Sequence, residues 1–245
     1  MKIIDIDGIV LTETNYSESS KILNVLTKDL GLIGVMSKGS RNMKSKLRGV
    51  SRKMIYGTFH IYYKENGLST LIGVDVKNTY NNILSDLSKI SYATYLLDLT
   101  KQVLRETEDT SIYDLLISTL NKIEEDFDPT VLTNILELKY LDFLGVSPNL
   151  DRCSFCGSSD DIVTLSSSSG GLVCGSCLTD ERLVNKKIIQ MIRMYYYVDI
   201  DRITKLDVSD DVKKEINIFL DDYYDRYTGL YLKTREFMKK VNILT

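Results

Sequence analysis

A chain of 245 residues, 43% hydrophobic and 27% charged, with a formal net charge of -3, has the composition of an ordinary globular protein. Its apolar fraction is too high for a disordered chain, and no stretch reaches the roughly 18 uncharged apolar residues that a spanning helix needs. The opening Met1-Lys2-Ile3-Ile4-Asp5-Ile6-Asp7 lacks the apolar block of a signal peptide, so a cytoplasmic address is expected and structural disulfides are not. Composition also removes much enzyme chemistry. The single histidine, His60, sits in a strand-like run and reads as a structural or surface residue. No nucleophile elbow, phosphate-cradling Gly-x-x-x-x-Gly-Lys-Ser/Thr loop or Gly-x-Gly-x-x-Gly turn accompanies it. The sequence does not read as an enzyme.

In chain order, the first 80 residues read as short strands. Gly8 to Thr12, Ser20 to Thr27 and Gly31 to Met36 are rich in β-branched residues, with Lys28-Asp29 and Gly31 forming a turn. Ile55 to Lys64 and Leu68 to Lys77 follow, joined through Glu65-Asn66-Gly67, a hairpin signal. Five short strands in this length predict an OB-type barrel over residues 1–79. In the fourth, Ile55, Gly57, Phe59, Ile61 and Tyr63 would face the core, alternating with Tyr56, Thr58, His60 and Tyr62 outside. Outward Tyr56 and Tyr62 are candidates for stacking on nucleic-acid bases, although exposed tyrosines are routine in strands.

Charge is divided unevenly. Residues 1–80 carry 12 Lys/Arg against 7 Asp/Glu, whereas the remainder carries 19 against 27. Lys38, Arg41, Lys44, Lys46, Arg48, Arg52 and Lys53 lie within sixteen residues that contain no acid. Such a run is often a solvated loop; within an acidic protein it can also make a local positive field for phosphates.

From about residue 80 the period becomes helical. Leu84, Leu87, Ile90, Leu97 and Lys101 define one helix, and Ile112, Leu116, Leu120 and Ile123 a second. Asp128-Pro129 opens a third, with Asp128 as N-cap, that stops at Gly145 before Pro148. Lys187 to Val198, Asp210 to Tyr227 and Tyr231 to Val241 are further helices, in which Tyr195-Tyr196-Tyr197 and Tyr223-Tyr224 are expected to pack. An α+β chain follows, with a helical domain over residues 80–245.

All four cysteines fall together: Cys153-Ser154-Phe155-Cys156, then seventeen residues, then Cys174-Gly175-Ser176-Cys177. Paired Cys-x-x-Cys knuckles at this spacing match a tetrathiolate zinc site, with a hairpin between them, in a module at residues 150–180. The competing readings are a redox dithiol or two disulfides. Four thiolates leave no open position, so one Zn²⁺ per chain is expected to be structural. Gly157 and Gly175 are expected to relieve crowding at the two turns.

The chain resembles the RecO recombination mediators of bacterial DNA repair. Gly8-Ile9-Val10-Leu11, Tyr16-Ser17-Glu18-Ser19, Thr27 and Gly31 are similar to that family's first strands, and Lys38-Gly39-Ser40-Arg41 with Lys44-Ser45 to its basic loop. Leu138-Lys139-Tyr140-Leu141-Asp142-Phe143-Leu144-Gly145 with Pro148 resembles its helix before the knuckles. Ser169-Gly170-Gly171-Leu172-Val173-Cys174 and Leu232-Lys233-Thr234-Arg235-Glu236-Phe237 resemble later segments. Two departures touch the expected DNA face: Glu13-Thr14 stands where members often carry a basic residue, and Ser51 to Tyr56 lacks a common proline. The resemblance implies binding of single- and double-stranded DNA, annealing of complementary strands, and action on strands coated by SSB. It also implies partnership with RecR in loading RecA, and a cytoplasmic, nucleoid-associated place during repair. It further implies docking of the SSB C-terminal tail on the helical domain. Lys101 and Arg105, four apart on one expected helix face, are candidates for that contact, with an ordinary solvated pair as the plainer reading. The alternative is a zinc-stabilised module for RNA or a transcription complex, without annealing activity. A nuclease or transferase would need clustered acids, and here the acids are scattered.

Overall fold

The alternating segments of the first eighty residues close on themselves. The computed structural model describes residues 2–244, so Met1 and Thr245, the outer ends of the expected domains, lie outside the described residues. Strands β1 (Lys2–Tyr16), β2 (Ser20–Thr27), β3 (Gly31–Ser37), β4 (Tyr56–Tyr63) and β5 (Ser69–Asn78) form a closed barrel in the order β1-β2-β3-β5-β4. This is an OB-type barrel.

β1 is longer than the expected Gly8 to Thr12. Its first part pairs with β4 and its second with β2, and an irregularity between Val10 and Thr12 lets the strand pass from one partner to the other. A short parallel contact, Val35 with Ser69 and Met36 with Thr70, completes the closure. Inside lie Val10, Leu23, Val25, Val35, Phe59, Ile61 and Leu71. The β4 alternation holds: Gly57, Phe59 and Ile61 are buried. Residues 64–68 join β4 to β5, so the Asn66-Gly67 hairpin forms with a longer connection than a two-residue turn.

His60 occupies the outer face of β4, bridging Asp5 on β1 (Nδ1 to Oδ1, 2.6 Å) and Asp75 on β5 (Nε2 to Oδ2, 3.0 Å). Hydrogen bonds to Asp5 and then to Asp75 raise its pKa above the ordinary 6.5. A raised folded-state pKa contributes stability that is fully present below the unfolded value and is lost as pH rises through the folded one. The pair is solvent-exposed, so the contribution is small. Asp5→Asn with Asp75→Asn should bring the His60 titration, followed by NMR of its ring protons, back toward 6.5. An unchanged titration would show that the two carboxylates do not hold the imidazolium.

Helices α1 (Asn81–Ser85), α2 (Leu87–Val103), α3 (Ser111–Glu124), α4 (Pro129–Phe143), α5 (Lys186–Tyr197), α6 (Asp210–Tyr227) and α7 (Lys233–Leu244) follow, with the hairpin β6 (Ile162–Ser166) and β7 (Gly171–Cys174) between α4 and α5. The first expected helix is divided because Asp86 is extended and its side chain accepts from Lys89 N, capping a fresh start. Asp128 caps α4 as expected, accepting from Thr130 N and Val131 N with Pro129 in the first turn. Barrel and helices share one core: Ile9, Leu11, Leu26 and Met54 pack in the same cluster as Tyr80, Leu96, Ile135 and Leu220.

The expected tyrosine packing is found at Tyr195, Tyr223 and Tyr224, all buried. Tyr224 also donates to the carbonyl of Glu137 at 2.9 Å. The Glu137 side chain is buried and faces Arg235 (3.9 Å), which also meets Asp221 (2.8 Å) and lies over the Tyr224 ring. Burial pushes the Glu137 carboxyl up, against the pull of Arg235. Removing one member of a buried pair strands the other, at about 3–5 kcal/mol. Arg235→Leu should therefore lower stability by about that amount in denaturant unfolding, and Arg235→Leu with Glu137→Leu by clearly less. A double-variant loss equal to the sum of the Arg235→Leu and Glu137→Leu losses would mean that the pair does not couple.

Candidate nucleic-acid interface and metal centre

Between β3 and β4 the acid-free segment folds as successive tight turns. Asn42 N donates to Gly39 O, Ser45 N to Asn42 O and Arg48 N to Ser45 O, at 3.1, 3.1 and 3.2 Å. Its start docks on the β1–β2 hairpin: Arg41 N donates to Ser19 O at 2.8 Å, the Arg41 guanidinium to Ser17 O at 3.1 Å, and Gly39 N to Ser20 Oγ at 3.2 Å. Its end is fixed by the buried pair Ser37 Oγ and Ser51 Oγ, 2.6 Å apart, and by Met54 N donating to Val10 O. Small side chains thus turn inward while the long cationic ones turn out.

Lys38, Arg41, Lys44, Lys46, Arg48 and Arg52 are exposed, and among the described residues none makes an ion pair with a carboxylate. Their charge is left for solvent or a ligand. Lys53 differs. It is half-buried, its amine pKa is lowered by that burial, and it feels Asp98 and Lys101 of α2 as well as Glu13. The exposed ridge therefore has six cations rather than seven.

The sequence-derived aromatic candidates have other surroundings. Tyr56 is half-buried with its ring stacked on Tyr80 (6.5 Å between centroids) and Lys77 over it. Tyr62 is exposed, but it stands on the outer face of β4 with His60, the face that carries the Asp5 and Asp75 carboxylates. Lys101 and Arg105 do not share a helix face, because α2 ends at Val103 and Arg105 lies in the following turn. One exposed aromatic beside the ridge, Tyr16, is absent from those candidates. The available signal was its position at the end of a strand, immediately before the Ser17-Glu18-Ser19 turn.

The four cysteines converge. Their sulfurs all lie within 4.8 Å of one another, and Cys156 Sγ is 3.6 Å from Cys174 Sγ. Four sulfurs about 2.3 Å from one tetrahedral ion would be spaced about 3.8 Å apart, so the donor set fits a single cation. Local backbone builds the knuckles. Gly157 N donates to Cys153 O, Cys153 N to Ser158 O and Gly175 N to Asp161 O. Gly157 has φ +72, which favours glycine there, whereas a Cβ on Gly175 would meet only the Asp161 carboxylate, Oδ2 at 2.4 Å, a side-chain end that can move aside. Burial opposes ionisation of Cys153, but backbone N–H groups of Cys156, Cys174 and Phe155 outweigh it and hold the thiol low. Neighbouring sulfurs push Cys177 up, and burial first of all pushes Cys174 up. Ionisation is thus favoured at Cys153 and opposed at Cys174 and Cys177, and a bound cation would stabilise the thiolate forms.

The cysteine module is tied to the helices around it. Arg193 of α5 donates to Leu150 O (2.7 Å) and Asp151 O (3.0 Å), Tyr197 to the Asp151 carboxylate (2.6 Å), and Tyr227 of α6 to Ser167 O (2.9 Å). Tyr197 is exposed, and beyond an edge-on contact with the Tyr196 ring (5.1 Å between centroids) its work is this polar anchor. No helix among the described residues is long and apolar enough to cross a membrane.

An OB-type barrel with an unpaired cationic ridge, fused to helices that carry a four-cysteine cluster, belongs to the class of folds whose surface suits contact with nucleic acid. The comparisons narrow this class. Residues 1–80 match the family model for the N terminus of recombination protein O, and residues 84–236 that for its C terminus. The DNA repair protein RecO of Listeria monocytogenes serotype 4a (strain HCC23) is 34% identical over 240 residues, covering 96% of this chain and 94% of that protein. Those of Bacillus pumilus (33% over 243 residues; 98% and 94%) and Halalkalibacterium halodurans (31% over 239; 96% and 94%) are similar. The chain belongs to the RecO family of DNA repair proteins.

Proposed function

We propose that this chain is a recombination mediator whose barrel ridge binds single- and double-stranded DNA by its phosphates. It anneals complementary strands and, with RecR, helps to load RecA onto SSB-coated single-stranded DNA. Family membership supports the biological setting. The observation that carries the DNA-binding step is the ridge: six exposed cations, free of carboxylate partners, on a turn-ordered segment docked to the barrel's hairpin. Such a surface tracks a backbone without reading bases. It does so in a protein that is otherwise acidic, which confines the positive field to one place.

The cysteine cluster holds one structural Zn²⁺ through Cys153, Cys156, Cys174 and Cys177, since all-sulfur tetrahedral donors suit that ion and leave no open position. SSB's tail docks on the helical domain. Lys101, half-buried, and Arg105, exposed, remain its candidate cations only as separate residues. The protein works in the cytoplasm, at the nucleoid during repair. An annealing assay with complementary strands, bare and SSB-coated, tests the reading. Acceleration in both cases is expected; preference for RNA with no annealing would favour an RNA-binding module instead.

A further inference from the structure

The geometry points to Tyr16 as a base-stacking platform at the mouth of the cationic ridge, a role that rests on the DNA-binding reading above. Tyr16 is the last residue of β1 and pairs across the hairpin with Ser20, the first of β2. Cross-strand partners project from the same side of a hairpin. On that side Ser20 Oγ accepts from Gly39 N at 3.2 Å, so the start of the ridge lies against the face that bears Tyr16. The Arg41 guanidinium is bonded to Ser17 O at 3.1 Å, one residue beyond Tyr16.

Tyr16 is 47% exposed, and its side chain makes no hydrogen bond or ring contact among the described residues. This sets it apart from Tyr56, which is committed to Tyr80, and from Tyr62, which sits beside acids. Base and phosphate of one nucleotide are close neighbours, so a platform for the base must adjoin the phosphate site. Tyr16 meets that requirement. Ser17 at φ +54 sets the bend of the hairpin tip, and Glu13, the nearest acid along β1 on the barrel side, is neutralised by Lys21 at 2.8 Å. Exposed Glu18 remains at the tip itself and would keep phosphates on the Arg41 side of the ring. Stacking on a ring next to bound phosphates is sequence-tolerant, because every base offers a π-face.

The protein contains no tryptophan, so Tyr16→Trp introduces a single indole reporter. Saturating oligo-dT should quench its emission and leave that of Tyr62→Trp unchanged. Tyr16→Ala should weaken single-strand affinity about tenfold, and Tyr16→Phe should stay within about twofold. The salt slope should be the same in all of them, because no cation is lost. An unquenched Tyr16→Trp at saturation, or wild-type affinity in a folded Tyr16→Ala, overturns the assignment. If Tyr16→Ala unfolds, the quenching result decides alone. Should replacement of the ridge cations leave affinity and slope intact, the ridge reading fails and takes Tyr16 with it. If that replacement abolishes binding while Tyr16→Ala binds normally, only the role of Tyr16 falls.

Discussion

Arg41, Lys44, Lys46 and Arg48 replaced together by Gln should reduce affinity for single-stranded DNA by about 10²–10³-fold near 0.1 M salt. The reason is counterion release. Each neutralised phosphate on a single strand contributes about -0.7 to the log–log salt slope, so about four contacts give a slope near -3. Removing four cations should flatten that slope toward what Lys38 and Arg52 still supply. The fold should survive, because these side chains are exposed and the segment is held by backbone bonds such as Arg41 N to Ser19 O. Metal content should also be unchanged, since the cysteines lie in the distant hairpin module. Scattered cations such as Lys186, Lys187 and Arg193 are too few, among the acids of the helical region, to compensate easily. A quadruple variant that keeps both affinity and slope would place DNA elsewhere and leave the ridge a solvated connection.

The second large effect concerns the metal. Protein purified without chelator should carry one zinc per chain, and cobalt substitution should give thiolate-to-metal absorption. Cys174→Ser should lose stoichiometric metal and release the segment from Cys153 to Cys177, because metal binding and local folding are one equilibrium. Hydrogen exchange in β6 and β7 should then quicken by roughly a hundredfold, while barrel amides stay protected. Loosening should spread first to α5 and α6, whose Arg193, Tyr197 and Tyr227 hold the module's loops. Elemental analysis without stoichiometric metal would end the claim. Unchanged exchange in a metal-free Cys174→Ser protein would show that the ion does not organise the module.

The sequence by itself determined what depends on local chemistry. The paired knuckles named the four sulfurs because Cys-x-x-Cys fixes two ligands on one turn, whatever the rest of the chain does. Asp128-Pro129 marked the start of α4 because a cap needs only its own next residues. The β4 alternation was legible because one face of the strand is filled by a core. The acid-free run was equally plain as a count of charges.

Only the tertiary structure decided which charges remain free and which rings remain available, since both depend on neighbours distant in sequence. Lys53 left the ridge because it meets α2, and Tyr56 left the open face because Tyr80 arrives beside it. Lys101 and Arg105 were separated by a helix end that their spacing did not show. The length of β1 was hidden because its first half pairs with β4, some fifty residues further on. Tyr16 became distinctive only when Gly39 and Arg41 docked against its hairpin. Periodicity and spacing report a residue's own element, whereas exposure, pairing and electrostatic field are sums over every element packed against it.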